Sequence, residues 1–412
     1  MKVYLNINKL INVCVLFLAI ISGLAIYQSD STLGNSDLIT VIKFLSYALV
    51  FISVIGLIIT KADLNVGCFI PLIYFAYTNI NTYNQTNISG FLGASILLIL
   101  FLVPNESKYE ILRAYRIWLI IMAVFGIVAY FAYTLNLSFI PFVEKDYYSL
   151  SFQAKYVDYT FAYLFKSING NELRVCGLFN EPGYFGTIIA LTLCVDKINL
   201  KHIGNWILLI AGILTYSLAF FIITLTYIIL ICIKNKYVMI LLLAILIFYF
   251  FILPNVVIQN ESLAFVFERI KFVDGKFMGD NRSNDAVDNA FKELIDYPLR
   301  LFFGYGKGYT ATITSDDFST FKTYIIDYGY FGFLLIFGSL FLYSILQTKK
   351  NWFAVAFVIV FFLSVYQRPN IYTTAYFILL LNGTYALAND IALTKKLNHS
   401  HLLEYSSESC LV

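Results

Sequence analysis

The chain has 412 residues, of which 60% are hydrophobic and only 13% charged, and its formal net charge is +3. Because a soluble domain carries about twice that share of charged residues, a soluble globular fold is excluded. The small net charge gives no support to nucleic acid binding, and since none of the six cysteines forms a CxxC pair, a structural disulfide is not expected.

Apolar runs that approach the roughly 20 residues needed to cross a bilayer recur along the chain. We therefore predict an all-α polytopic membrane protein with about twelve transmembrane helices and two large extracytoplasmic loops, the second partly helical. The predicted spans are residues 10–27, 38–60, 66–82, 87–104, 116–136, 183–196, 205–217, 219–233, 237–254, 323–346, 352–366 and 371–389. The apolar stretch from Trp206 to Cys232 must be divided by a tight turn near Tyr216 and Ser217.

These spans divide the chain into six segments. Residues 1–136 hold helices 1 to 5, residues 137–182 form the first loop, residues 183–254 hold helices 6 to 9, residues 255–322 form the second loop, residues 323–389 hold helices 10 to 12, and residues 390–412 form a tail. If the spans alternate, most Lys and Arg residues of the short connections fall on one side, and only Arg368 falls on the other. Because basic short loops are retained in the cytoplasm, both termini are predicted to be cytoplasmic and both long loops external.

Histidine is absent from the predicted external loops. His202, His399 and His401 all map to the cytoplasmic side, so an external metal site or general base cannot use imidazole. External chemistry must therefore use Arg, Lys, Asp, Glu and Tyr. Neither a metal nor a cofactor is expected. The run Gly304-Tyr-Gly-Lys-Gly308 lacks the spacing of a nucleotide-binding phosphate loop.

The first loop ends in a charged pair at the mouth of a span. Arg174 and Glu181 precede Pro182, which suits the first position of a helix. One interpretation is structural, with Arg174 in a loop ion pair and Glu181 as a first-turn acid. The other is functional, because ionisable groups near membrane depth commonly handle a charged substrate. Gly177 would allow the close approach of a ligand or of backbone.

The second loop contains an amphipathic pattern near 284–297. Its apolar positions recur at helical spacing, and Ser283 or Asn284 is suited to cap the helix. Arg282, just before the helix start, is either a solvated cation or part of an anion site built with the exposed amides. The apolar positions are Val287, Ala290, Phe291, Leu294 and Ile295.

Three short motifs together resemble bacterial O-antigen polymerases of the Wzy type, within the wider O-antigen ligase and polymerase superfamily. The first motif is R-x-x-G-x-F-x-E-P, the second an arginine followed by a helix and a Pro-Leu…Gly-x-Gly turn, and the third an acid-x-Gly-x-x-Gly start to the next span. Their residues here are Arg174, Gly177, Phe179, Glu181 and Pro182, then Arg282, Pro298, Leu299, Gly304 and Gly306, then Asp327, Gly329 and Gly332.

The resemblance implies a glycosyltransferase that joins repeat units carried on undecaprenyl pyrophosphate at the outer face of the bacterial inner membrane. Arg174, Glu181 and Arg282 are then the expected catalytic residues, with Glu181 either accepting a proton or orienting Arg174. The expected substrate contacts are Gly177, Arg300, Lys307, Asp327 and Arg368. The expected partners are the lipid-linked oligosaccharide, the bilayer and a chain-length-regulating membrane protein.

Two other functions remain open. An oligosaccharide-lipid flippase would need charges lining its spans, whereas Lys43 is the only clear charge in the middle of a span. An O-antigen ligase typically has a histidine in the second external loop, and this loop has none.

Overall fold

The computed structural model describes residues 2–24, 36–62, 66–80, 90–149, 152–167, 172–233, 271–273, 276–277, 283–314, 320–367 and 373–391, with the single positions 237, 240 and 244. This part of the chain is mostly helical. Its α-helices are α1 (Lys2–Gly23), α2 (Ser36–Ile59), α3 (Phe69–Ile80), α4 (Gly90–Leu102), α5 (Asn105–Thr134), α6 (Pro182–Val195), α7 (Ile203–Leu214), α8 (Leu218–Cys232), α9 (Asp285–Glu293), α10 (Pro298–Phe303), α11 (Thr310–Ile313), α12 (Phe321–Phe333), α13 (Ser339–Gln347), α14 (Trp352–Gln367), α15 (Thr374–Phe377) and α16 (Gly383–Ala388).

Three helical segments in the described ranges are long and apolar enough to cross a membrane. They are Thr40–Ile59, Asn105–Thr134 and Phe321–Gln347, and seven shorter apolar helices accompany them. A mostly helical architecture with candidate membrane spans is therefore confirmed, while the number of twelve spans stays a prediction. The turn predicted near Tyr216 lies where α7 ends and α8 begins, and most of the predicted span 237–254 lies outside the described residues.

Ion pairs join several helix ends at one end of the bundle. Because the basic partners lie there, we call this end the basic end. Arg116 near the start of α5 pairs with Asp196 after α6, with 2.7 Å between Nε and Oδ2. Lys197, the next residue, pairs with Asp390 after α16. Both members of the Arg116 pair are buried. These contacts bring together connections that are distant in sequence and that the charge pattern assigned to one side.

The opposite end, which we call the sheet end, carries an antiparallel sheet that the all-α prediction did not include. Its strands pair in the order β1-β2-β3-β4, and a separate two-stranded ribbon lies later in the chain. The four strands and the ribbon are β1 (Val143–Ser149), β2 (Phe152–Asp158), β3 (Tyr163–Ser167), β4 (Leu173–Gly177), β5 (Phe272–Val273) and β6 (Lys276–Phe277).

Side chains of the sheet alternate between two buried faces, as the period of a strand requires. One face packs against the helices through Val157, Leu164 and Val175, which belong to the main hydrophobic core. The other face forms a small cluster of its own from Tyr156, Tyr163, Phe165 and Cys176. Contact with α5 is close, because a Cβ at Gly126 would lie 2.5 Å from the side chain of Val175.

The helix α9 occupies residues 285–293 of the stretch predicted to be amphipathic, and it packs against α12. Asn284 is the N-cap, since its side chain accepts a hydrogen bond of 2.9 Å from the Val287 amide. Val287 and Leu294 are fully buried in a cluster with residues of α12. Ile295, in contrast, is 62% exposed and does not belong to the buried face.

Candidate functional site

Arg174 lies on β4, and its side chain points into the bundle rather than into solvent. The residue is 7% exposed, and its Nε donates a hydrogen bond of 2.9 Å to the Thr215 carbonyl. A second bond, of 3.4 Å, runs from Nη2 to the Tyr216 carbonyl. Because carbonyls at a helix C-terminus lack intrahelical partners, a buried guanidinium is favourable there. Arg174 therefore ties the sheet to the turn between α7 and α8.

Gly177 and Glu181 follow at the start of α6. Gly177 has φ +61, a conformation that glycine adopts readily, and a Cβ there would lie 3.3 Å from the Phe185 ring. Glu181 is the extended N-cap residue of α6, with Pro182 after it. Burial raises the pKa of the Cys176 thiol, the charge of Arg174 lowers it, and the charge of Glu181 raises it. The structure thus brings Arg174, Gly177 and Glu181 into one neighbourhood.

A cleft of ≈ 380 Å³ lies elsewhere, between α3, α12 and the loop that follows α10. The residues that line this cleft include Lys307 and Asp327, two of the predicted substrate contacts, but not Arg174. The full set of lining residues is Tyr74, Lys307, Gly308, Thr310, Thr323, Tyr324, Asp327 and Tyr328.

The loop beside the cleft, Gly304 to Gly308, fits against a break in α12. Gly329 has φ +67 inside this helix and interrupts it. Amides of the loop bond carbonyls next to the break, with Tyr305 N to Ile326 O at 2.9 Å and Gly306 N to Asp327 O at 2.8 Å. A Cβ at Gly329 would lie 2.1 Å from the Phe302 carbonyl oxygen, so the two backbones meet where a side chain does not fit.

Asp327 holds this loop with its carboxylate. Its Oδ2 accepts from the Gly308 amide at 3.0 Å, and its Oδ1 accepts from the Thr310 amide at 2.9 Å and from the Thr310 hydroxyl at 2.5 Å. Backbone amides that converge on one point in this way suit an anion. Here the anion is the protein's own carboxylate, so Asp327 fixes the shape of the cleft.

Lys307 lies between two glycines of the loop and lines the cleft together with three tyrosines. Both neighbours have positive φ, +106 at Gly306 and +91 at Gly308. Burial lowers the pKa of Lys307, and the nearby Asp327 carboxylate acts in the opposite direction. The position of Lys307 is therefore set by a loop whose backbone is hydrogen-bonded to α12.

Arg300, another predicted substrate contact, lies beside the cleft rather than in its wall. Its guanidinium carbon is 5.2 Å from the centre of the Tyr305 ring, and Tyr305 stacks on Tyr309 with 4.2 Å between ring centres. This geometry is typical of a cation–π contact. Arg282 and Arg368 lie outside the described residues, so their predicted roles stay predictions.

The tyrosines of the cleft were not among the residues expected from the sequence. Tyr324 and Tyr328 are four residues apart on α12, a spacing that puts both on one helix face. Tyr77 secures the same region, because its hydroxyl donates a bond of 2.6 Å to the Tyr328 carbonyl. The spacing of Tyr324 and Tyr328, close to Asp327, could have indicated this site. Because the chain has 32 tyrosines, one such pair did not stand out.

In the part of the chain that the structure describes, no group of three His, Cys, Asp or Glu side chains is close enough to hold a metal ion. Comparison of the chain with protein-family models, with curated proteins and with solved structures finds no match.

Proposed function

We propose that this protein is a surface polysaccharide polymerase of the O-antigen type. It would transfer a growing glycan from undecaprenyl pyrophosphate to a sugar hydroxyl of an incoming lipid-linked unit, at the outer face of the inner membrane. The order of the three sequence motifs supports this proposal. The observation that carries it is the cleft lined by Lys307 and three tyrosines, between apolar helices of the bundle.

The size and lining of this cleft suit a phosphorylated sugar. Its ≈ 380 Å³ falls within the range of about 300–1,000 Å³ typical of small-ligand sites. Tyrosine rings offer flat apolar faces with a polar tip, which suit sugar rings. Lysine is a common point-charge contact for phosphate.

The proposed reaction forms one bond and breaks another. The hydroxyl oxygen of the acceptor attacks the anomeric carbon of the donor, the bond from that carbon to the pyrophosphate oxygen breaks, and the hydroxyl proton passes to a base. The lipid pyrophosphate leaves with the bonding electron pair and gains negative charge. A cation placed on it therefore stabilises the transition state more than the ground state, which is the role we assign to Lys307.

The two carboxylates have different parts in this proposal. Asp327 accepts one hydrogen bond from Gly308 of the loop and two from Thr310 at the start of α11, so it is a positioning residue for Lys307 rather than a base. Glu181 does not line the cleft, so of the two roles expected for it we assign it that of partner of Arg174. Arg174 is assigned to positioning, because its described bonds join the sheet to the turn after α7.

Arg282 and Arg368 remain proposed phosphate contacts on the strength of the resemblance. Arginine suits that role because its planar guanidinium binds phosphate oxygens in pairs and stays charged.

Deletion of the gene, followed by complementation, tests the proposal through the polysaccharide pattern on a gel. We expect deletion to leave a single repeat unit on the lipid core and to abolish the ladder. Lys307→Ala should fail to restore the ladder, since loss of one charge-stabilising contact costs about 10²-fold or more in rate. Lys292→Ala is the matched control, because Lys292 is exposed on α9 and does not line the cleft.

Other outcomes contradict the proposal. Loss of every attached unit on deletion would point to flipping or to ligation instead. A normal ladder with a stably inserted Lys307→Ala protein would remove the cleft from the reaction.

A further inference from the structure

A second cleft, of ≈ 390 Å³, lies at the basic end of the bundle. It forms where α1, the end of α2 and the link between α4 and α5 meet, so it is separate from the cleft beside Lys307. Its lining residues are Asn8, Thr60, Lys61, Ala62, Phe101, Leu102, Val103, Pro104, Asn105 and Lys108.

The charge of this lining is entirely positive. Lys61 and Lys108 are its two charged side chains, and none of its ten residues is acidic. Lys108 is half-buried, and its Nζ lies 3.4 Å from the Asn105 amide oxygen, which accepts a hydrogen bond from it. The nearest acids in sequence are Glu106 and Glu110 on α5, and Glu110 accepts a bond of 2.8 Å from an asparagine of α1. An anion of modest size therefore meets two cations here.

The backbone at Lys61 ends α2 in a form that usually contains glycine. Lys61 has φ +52, its amide bonds the Ile58 carbonyl at 3.1 Å, and the Ala62 amide bonds the Leu57 carbonyl at 3.1 Å. This pair of bonds is a Schellman motif, in which the left-handed position favours glycine. Replacing Lys61 by glycine should therefore remove the charge without harming the helix end.

An apolar surface leads directly to the cleft. Ile58 and Ile59, in the last turn of α2, are 70% and 49% exposed. The candidate membrane span Thr40–Ile59 ends at this point. In a membrane, acyl chains lie against such a surface, and lipid headgroups lie where the span ends.

We propose that this cleft binds the phosphate of an anionic phospholipid headgroup, with Lys61 and Lys108 as its two cationic contacts. Basic clefts between membrane helices are suited to such headgroups. The proposal does not depend on the polymerase assignment, since its cleft is lined by other residues.

Native mass spectrometry of the full-length purified protein tests the proposal with phosphatidylglycerol and phosphatidylcholine as probes. The variants are Lys61→Gly and Lys108→Gln, each compared with the unsubstituted protein. Lys201→Gln is the matched control, because Lys201 is an exposed lysine outside this lining. Thermal stability in lipid-free detergent is measured for each variant in parallel.

We expect one phosphatidylglycerol to be retained in preference to phosphatidylcholine. Each cleft variant should weaken that retention about fivefold, which corresponds to the ~1 kcal/mol that one basic residue contributes near an anionic surface. Lys61→Gly should lose retention while its thermal stability stays equal or rises. Lys201→Gln should retain the lipid normally.

Three results would overturn the proposal. Equal retention of the two lipids would remove the preference for an anion, and an equal loss in Lys201→Gln would indicate diffuse attraction instead of a site. Displacement of the lipid by millimolar inorganic phosphate would assign the cleft to a soluble phosphate rather than to a headgroup.

Discussion

Substitution of Gly329 by alanine tests how the loop beside Lys307 is held. Gly329 has φ +67 and ψ 175, a region that is almost restricted to glycine and that costs other residues about 1–3 kcal/mol. The added Cβ would also lie 2.1 Å from the Phe302 carbonyl oxygen and 2.6 Å from the Gly304 amide nitrogen. Because both atoms belong to the backbone, no side-chain rotation relieves the clash, and overpacking adds about 1–3 kcal/mol.

Together the two effects predict that the free energy of unfolding falls by about 2–6 kcal/mol. We expect the Gly304–Gly308 loop to be released from α12 before the rest of the protein unfolds. Two other glycines separate the contributions. At Gly308, φ is +91 and no atom lies within 4 Å of an added Cβ, so alanine there brings only the conformational cost. At Gly338, which also has no atom within 4 Å, φ is −66, so alanine should be neutral or slightly stabilising.

Thermal unfolding and limited proteolysis of the three purified variants in detergent measure this series. We expect stability to fall in the order Gly338→Ala, Gly308→Ala, Gly329→Ala, with cleavage in the loop enhanced most in the last. A Gly329→Ala protein as stable and as protease-resistant as Gly338→Ala would refute the described contact between the loop and α12.

Three further predictions address other contacts. Arg116→Ala leaves the Asp196 carboxylate buried without its ion pair and should cost about 3–5 kcal/mol in detergent unfolding; a loss below 1 kcal/mol would argue against the pair. Burial alone would raise the pKa of Asp288, but hydrogen bonds from Lys322 and Ser283 hold it below its ordinary 3.8. Stability from this group should therefore be present above about pH 4 and be lost as the pH falls through the lowered pKa, and Asp288→Asn should abolish that dependence. Arg174→Ala removes the donor to two carbonyls and should abolish elongation while the protein still inserts; full elongation would contradict its positioning role.

Helices were predictable from the sequence because length and composition suffice to identify an apolar run. The turn near Tyr216 and the helix that begins after Asn284 needed only local patterns, namely an overlong apolar stretch and an N-cap residue. The sheet was not found, because both of its faces are buried and its strands pair through contacts that no local pattern specifies.

The sequence indicated several residues of the candidate site, but it did not indicate how they are arranged relative to one another. Lys307 and Asp327 stand out as charges in an apolar chain, yet their relation depends on backbone amides, which every residue except proline carries. The bonds of Arg174 reach across 41 residues to a carbonyl of the Thr215 turn, and no spacing in the sequence indicates such a contact. The sequence likewise does not indicate that Arg174 lies outside the lining of the cleft, because this depends on how the helices and the sheet pack.

The most direct test of the proposed function is polymerisation by the purified protein, supplied with undecaprenyl-pyrophosphate-linked repeat units. We predict that glycan length increases as lipid pyrophosphate is released, without added nucleotide or metal. Lys307→Ala should reduce the initial rate about 10²-fold or more, whereas Lys292→Ala should match the unsubstituted protein. Absence of chain growth by a folded protein, or equal rates for the two variants, would contradict the account.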